Sequence, residues 1–63
     1  LFGVGENCYI ENAIIDKNCM IGNNVRIIGG KHMPDADYES YSVRDGIIVI
    51  KKEAIIPNGT IIQ

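Results

Sequence analysis

The sequence predicts an all-β fold, a left-handed parallel β-helix of hexapeptide repeats, present as partial coils only and interrupted by one inserted loop. Residue usage is the first indication, because the 63 residues include thirteen Ile and four Val but one Leu and one Phe. Such β-branched enrichment favours strands. The second is the spacing of the large aliphatic residues, which recur at steps of five or six. The third is that no stretch shows helical spacing of apolar residues over about eleven positions.

Three positions repeat together in the first block, residues 4–28. The large aliphatic residues, expected to point inward, are Val4, Ile10, Ile15, Ile21 and Ile27. From Ile10 onward, a small or medium residue comes two positions earlier: Cys8, Ala13, Cys19 and Val25. Asn comes three positions earlier: Asn7, Asn12, Asn18 and Asn24. Asn bends the chain at a corner with little strain, the small residue fits inside that corner, and the aliphatic side chain fills the interior.

Residues 29–46 break the pattern. This stretch opens with two Gly, contains a Pro and four acidic residues, and ends in Gly. It predicts a loop that leaves the β-helix at a corner. Loops on a rigid scaffold often carry function, and Tyr38, Tyr41 and Arg44 are then the candidates for contacts with a partner. A solvated insertion is the alternative interpretation.

The repeats resume in the second block, residues 47–63. The inward positions are Ile50, Ile56 and Ile62, preceded two residues earlier by Ala54 and Thr60 for the last two, and three residues earlier by Glu53 and Gly59. A β-sandwich with six-residue strands is the alternative, but a sandwich does not require three registers to repeat together. Both ends of a solenoid need caps and none is evident, so we expect this segment to belong to a longer polypeptide.

Charge and composition narrow the function classes. The formal net charge of −2 gives no basic surface for nucleic acid, and the longest apolar run, at residues 47–50, is too short to cross a membrane. Cys8 and Cys19 are too few for a disulfide scaffold and are expected to be packed, reduced thiols. A metal site is not expected, since His32 is the single histidine.

Two lysines occupy equivalent places in the repeat. Lys17 follows the inward Ile15 by two residues, and Lys52 follows Ile50 by two. If the chain leaves after the Ile27 face and returns at the third face, Ile50 stacks on Ile15 and both lysines lie at one corner. An anion between the two ammonium groups would turn their repulsion into attraction. The pair therefore predicts a phosphate or carboxylate site, with two ordinary surface lysines as the alternative.

Three segments carry a resemblance to a known family. They are NAIIDKNCMIGNNVRII (residues 12–28), DAD (35–37) and RDGIIVIKKEAIIPNGTII (44–62). Together they resemble the C-terminal β-helix of ADP-glucose pyrophosphorylase, or glucose-1-phosphate adenylyltransferase, of the plant and cyanobacterial type. The sequence departs from the family at Cys19-Met20 and, in the loop, at Tyr38, Ser42 and Asp45.

The resemblance implies an enzyme that makes ADP-glucose and pyrophosphate from ATP and glucose 1-phosphate for starch or glycogen synthesis. It implies that catalysis and Mg²⁺ belong to an N-terminal nucleotidyltransferase domain absent from this chain, so that residues 1–63 carry no catalytic residue and no cofactor. Lys17 and Lys52 fall on lysines that bind the activator 3-phosphoglycerate, with phosphate as opposing inhibitor. The implied partners are the catalytic domain and neighbouring subunits of a tetramer or heterotetramer. The implied location is the plastid in a plant, or the cytoplasm in a bacterium.

Other functions on the same fold stay open at this point. A structural or oligomerisation β-helix of another sugar nucleotidyltransferase would share the repeats without matched lysines. A hexapeptide-repeat acyltransferase would need a catalytic His, for which His32 is the one candidate. A carbonic-anhydrase-like β-helix would need several His ligands and is disfavoured by that single histidine.

Overall fold

The computed structural model describes residues 3–63, and these residues form an all-strand structure. The ten strands, in chain order, are β1 (Gly3–Val4), β2 (Tyr9–Glu11), β3 (Ala13–Ile15), β4 (Met20–Ile21), β5 (Arg26–Ile28), β6 (Ala36–Asp37), β7 (Tyr41–Arg44), β8 (Ile47–Ile50), β9 (Ile55–Ile56) and β10 (Ile61–Ile62). No helix in residues 3–63 is long and apolar enough to cross a membrane. The predicted all-β class is confirmed.

The strands stack into the three faces of a β-helix. One face has the order β1-β4-β9, a second has β2-β5-β10, and the third contains β3 beside β8, all paired in parallel. On the third face Ile15 is the register partner of Ile50. The threading predicted across the inserted segment is therefore confirmed, and Ile50 stacks directly on Ile15.

The interior is a column of side chains that are β-branched except for Cys19. The buried residues among those described are Cys19, Ile21, Val25, Ile27, Val43, Ile48, Ile50, Ile56 and Ile62. Burial of the inward positions depends on neighbours in the stack, because a coil covers its inner face only against adjacent coils. Ile27, between Ile10 and Ile62 in the register, is fully buried, whereas Val4, which pairs with Ile21 on one side only, is 52% exposed.

The corners bend where the repeat predicts. The six residues expected there all have positive φ, between 54° and 75°: Asn7, Asn12, Asn18, Asn24, Glu53 and Gly59. At the corner that follows β1 and β4, the coils are also joined by side chains. Asn23 Oδ1 accepts from the Glu6 amide, and Asn58 Oδ1 accepts from the Asn23 amide, both at 2.8 Å. The left-handed conformation, which Asn and Gly tolerate, thus sets the turn at these corners, and Glu53 adopts it as well.

The inserted segment, interpreted from sequence as a loop, contains two strands. Strand β6 pairs antiparallel with β7, and β7 pairs antiparallel with β8. The turn between β7 and β8 is Asp45-Gly46, with φ of 53° and 78°, which fits the type I′ turns that Asp-Gly favours in two-residue hairpins. This dipeptide was a hairpin signal that the sequence interpretation missed. The third face therefore extends to four strands, β3-β8-β7-β6.

Candidate anion site at the Lys17–Lys52 corner

The backbone places Lys17 and Lys52 at the same corner of adjacent coils. The Asp16 amide donates to the carbonyl oxygen of Ile50, and the Glu53 amide donates to the carbonyl oxygen of Lys17, each at 3.0 Å. Both lysine side chains are exposed. The predicted placement of the pair at one corner is confirmed for the backbone, where the two residues lie in adjacent coils.

Asp16 shapes the corner rather than pairing with a lysine ammonium group. Its carboxylate oxygen Oδ1 accepts a hydrogen bond from the backbone amide of Lys17 at 2.7 Å. Such local bonds from Asp to the following backbone are typical of tight turns. Asp16 therefore stabilises the turn from which the exposed side chain of Lys17 extends.

Lys51, the neighbour of Lys52, binds the inserted segment through its side chain and its backbone amide. Its Nζ lies 2.8 Å from Asp37 Oδ1 and also donates to the carbonyl oxygen of Tyr38. Its backbone amide donates to the carbonyl oxygen of Ser40 at 2.9 Å. The Lys51 ammonium group holds the pKa of Asp37 below its ordinary value, through their hydrogen bond and their charge attraction. Among residues 3–63 this is the one ion pair. The ammonium group of Lys51 is therefore paired with the inserted segment, whereas that of Lys52 forms no ion pair with these residues.

Lys52 borders an open depression of about 360 Å³. The depression is lined by Glu39, Ser40, Lys51, Lys52, Glu53, Ala54 and Ile55. Lys17 does not line it and approaches the corner from the adjacent coil. The space is sufficient for a small anion, and its walls come from two parts of the chain, the corner after β8 and the tip of the inserted segment.

Arg44 stabilises the inserted segment from within. Its Nη1 donates to the carbonyl oxygens of Ala36 and Val43, both at 2.8 Å, which joins β6 to β7. Tyr38 and Tyr41 stack with ring centroids 4.7 Å apart, and burial raises the pKa of Tyr41. Their predicted contacts with a partner stay predictions, whereas their contacts within the segment explain why it is ordered.

The remaining candidates take structural places. Cys8 and Cys19 are free, and their Sγ atoms lie 3.1 Å and 3.0 Å from the carbonyl oxygens of Gly22 and Lys51. His32 is exposed in a turn of the inserted segment. Across residues 3–63, no three His, Cys, Asp or Glu side chains gather in an arrangement that would hold a metal ion.

Comparison with known proteins identifies the family. The family described as GLGC left-handed parallel beta-helix domain matches residues 1–61. The chain is 42% identical over 62 residues to the glucose-1-phosphate adenylyltransferase small subunit of Zea mays, covering 95% of this chain and 50% of that protein. It is 44% identical over 62 residues to the glucose-1-phosphate adenylyltransferase small subunit, chloroplastic/amyloplastic, of Triticum aestivum, covering 95% of this chain and 13% of that protein. The chain thus spans half or less of the length of these curated relatives. The resemblance seen in the sequence is confirmed, and the chain belongs to the GLGC left-handed parallel beta-helix domain family.

Proposed function

We propose that this β-helix is the effector-binding and subunit-contact domain of a glucose-1-phosphate adenylyltransferase. The whole enzyme would make ADP-glucose and pyrophosphate from ATP and glucose 1-phosphate, for starch or glycogen synthesis. The names of the two relatives support this reaction. Catalysis and Mg²⁺ would belong to a nucleotidyltransferase domain outside this segment, which would itself supply no catalytic residue.

The observation that carries the effector role is the stacking of Lys17 on Lys52. At about 5 Å two ammonium groups repel by about 0.8 kcal/mol in water, and a phosphate or carboxylate between them replaces that repulsion by two attractions. Lys51 is neutralised by Asp37, so Lys17 and Lys52 supply the positive charge available at this corner. The phosphate and carboxylate of 3-phosphoglycerate would bridge this pair and basic residues of the catalytic domain.

Activation would follow from a difference in affinity between two arrangements of the domains. An effector shifts an equilibrium only if it binds one state better than the other. 3-Phosphoglycerate has two anionic ends and would favour the arrangement that brings the second basic group near. Inorganic phosphate has one anionic centre and would occupy the lysines without spanning the interface, which would account for inhibition by phosphate.

The subunit-contact role is supported by the outer surface of the coils. Met20 and Ile55 are register partners with side chains on the outside, and Ile55 is 67% exposed. Ile14 and Ile61 on the other two faces are also more than half exposed. The partners would be the chain's own catalytic domain and neighbouring subunits of a tetramer, in the plastid of a plant or the cytoplasm of a bacterium.

The test uses the intact polypeptide with any partner subunit it requires. ADP-glucose formation is measured from ATP and glucose 1-phosphate over a range of 3-phosphoglycerate concentrations. Lys52→Ala is expected to raise the half-saturating activator concentration at least several-fold, while Lys31→Ala, an exposed lysine elsewhere in the inserted segment, is the matched control. An unchanged activator response in Lys52→Ala would refute the effector assignment. Absence of synthesis would refute the enzymatic assignment.

A further inference from the structure

The tip of the inserted segment forms one wall of the depression beside Lys52. Glu39 and Ser40, which lie between β6 and β7, line the same space as Lys52 and Glu53. The tip is a closed turn, since the Tyr38 amide donates to the carbonyl oxygen of Tyr41 at 2.8 Å. An anion that enters this space therefore meets the tip as well as the corner.

Lys51 fixes the tip in this place by three contacts. Its Nζ binds the Asp37 carboxylate and the Tyr38 carbonyl oxygen on one side of Glu39, and its backbone amide binds the Ser40 carbonyl oxygen on the other. Glu39 is thus bracketed by residues that Lys51 holds. Because the ion pair is partly exposed, it contributes modestly to stability. The hydrogen bonds to the carbonyl oxygens of Tyr38 and Ser40 also hold the tip in place.

The charge balance of the depression is unfavourable to anions. Lys52 contributes one positive charge, and the charge of Lys51 is offset by Asp37 at 2.8 Å. Glu39 and Glu53 contribute two negative charges to the lining. A carboxylate about 6 Å from a bound phosphate weakens its binding about threefold in water, from Coulomb repulsion alone. Without these two carboxylates, the same lysines would bind an anion more tightly.

We propose that Glu39 is an affinity-limiting residue of the anion site and that the Lys51–Asp37 pair is the positioning device that holds it there. The inference rests on the proposed function of Lys52. Glu39 keeps the half-saturating effector concentration higher than the lysines alone would set. The tip of the inserted segment then places a negative charge beside the bound anion. Its attachment through Lys51 determines how much that charge lowers the affinity for the anion.

The experiment compares Glu39→Gln with the parent in the intact polypeptide. Two readouts are used, direct binding of inorganic phosphate by calorimetry and the half-saturating 3-phosphoglycerate concentration in the synthesis assay. Glu39→Gln is expected to tighten both about threefold at low salt, and the gain is expected to shrink as added salt screens the repulsion. Glu6→Gln, an exposed glutamate at a different corner, is the matched control and should change neither.

A double-variant comparison tests the positioning role. Asp37→Asn removes the ion pair that holds the tip, so the gain from Glu39→Gln should be smaller in the Asp37→Asn background than in the parent. An equal gain in both backgrounds would refute the role of the Lys51–Asp37 pair. An unchanged affinity in Glu39→Gln would refute the proposal for Glu39.

Lys52→Ala, measured in the same two assays, separates this inference from the function on which it rests. If Lys52→Ala weakens phosphate binding while Glu39→Gln has no effect, the inference is wrong and the effector site stands. If Lys52→Ala has no effect on binding, the effector site is wrong and the inference falls with it.

Discussion

The backbone amide of Glu53 donates a 3.0 Å hydrogen bond to the carbonyl oxygen of Lys17, although the two residues belong to coils separated by the whole inserted segment. This bond, with the pairing of Ile15 and Ile50, fixes the backbones of the two corner lysines relative to each other. The two exposed side chains therefore extend from backbone positions that are set by the β-helix itself.

If Lys17 and Lys52 bind one anion, their substitutions will not act independently. We expect Lys17→Ala and Lys52→Ala each to raise the half-saturating 3-phosphoglycerate concentration, and the double variant to raise it by less than the product of the two. The reason is that an anion released by one lysine no longer holds its position against the other. The measurement is activator titration of ADP-glucose synthesis for the four proteins. A strictly multiplicative result would indicate two separate sites.

The column of isoleucines predicts a graded loss of stability. Ile27 is fully buried between Ile10 and Ile62 in the register. Ile27→Ala is expected to cost about 2–5 kcal/mol of unfolding free energy, because it leaves a cavity, while Ile27→Val should cost about 0.5–1.5 kcal/mol. Denaturant unfolding of the intact polypeptide measures both. Equal losses for the two variants would contradict close packing at this level of the stack.

The corner at Gly22 tolerates no side chain. A Cβ there would lie 2.6 Å from the backbone nitrogen of Asn58 and would contact the Asn58 Oδ1 atom that accepts from the Asn23 amide. Gly22→Ala is expected to cost about 1–3 kcal/mol, because the coils must move apart. Gly59→Asn is the matched control: Gly59 has φ of 75° and open space around it, and it stacks on Asn24, which has φ of 59°. That change should stay within about 0.5 kcal/mol, and a larger loss than in Gly22→Ala would contradict the corner geometry.

Glu53 is an outlier among the corner residues. It has φ of 65°, at the place that Asn18 occupies in the adjacent coil with φ of 60°. Left-handed backbone costs about 1 kcal/mol more for Glu than for Asn, whose short side chain suits this conformation. Glu53→Asn is therefore expected to raise the unfolding free energy by up to about 1 kcal/mol, seen as a higher midpoint of thermal unfolding. Glu53→Gln, which removes the charge but keeps the strain, is the control and should not stabilise.

The exposed aliphatic residues predict a contact surface. Ile55 is 67% exposed and pairs with Met20, so both side chains lie on one outer face. If the intact protein forms the proposed tetramer through this face, Ile55→Asp is expected to shift it toward smaller species in sedimentation, since a charge in an apolar contact is costly. Lys31→Asp, an exposed change in the inserted segment, is the control. An unchanged sedimentation profile in Ile55→Asp would show that this face is not part of a subunit interface.

The repeat pattern was sufficient to predict the β-helix, its inward residues and its corners, because each of these depends on local preferences that recur every six residues. Asn18 and Glu53 were placed at one corner by counting, and their positive φ angles bear this out. The structure of the inserted segment was not predicted. Its strand β7 is ordered by pairing with the edge of β8, a tertiary contact that local spacing does not encode, although Asp45-Gly46 signalled the turn.

The candidate site was predicted in part for the same reason. Lys17 and Lys52 occupy equivalent positions of the repeat, so counting residues was enough to predict that they lie at one corner. Asp37 lies outside the repeat, and its 2.8 Å contact with Lys51 exists only because the inserted segment folds back onto β8. The depression that Glu39 lines could not be predicted from the sequence either, since its two walls come from separate segments of the chain.

The two ends of the inserted segment meet at a single corner. A Cβ on Gly29 would lie 2.5 Å from the carbonyl oxygens of both Asn12 and Gly46, and Asn12 Nδ2 donates to the Gly29 carbonyl oxygen at 3.1 Å. Because the chain departs and returns at one point, the length of the segment beyond the strands that pair with β8 has little effect on the coils. Closing a longer excursion adds little free energy, on the order of 0.6 kcal/mol for each doubling. Changes of length or charge at Glu39 and Ser40 would therefore alter the surroundings of Lys52 while the register of the coils is kept.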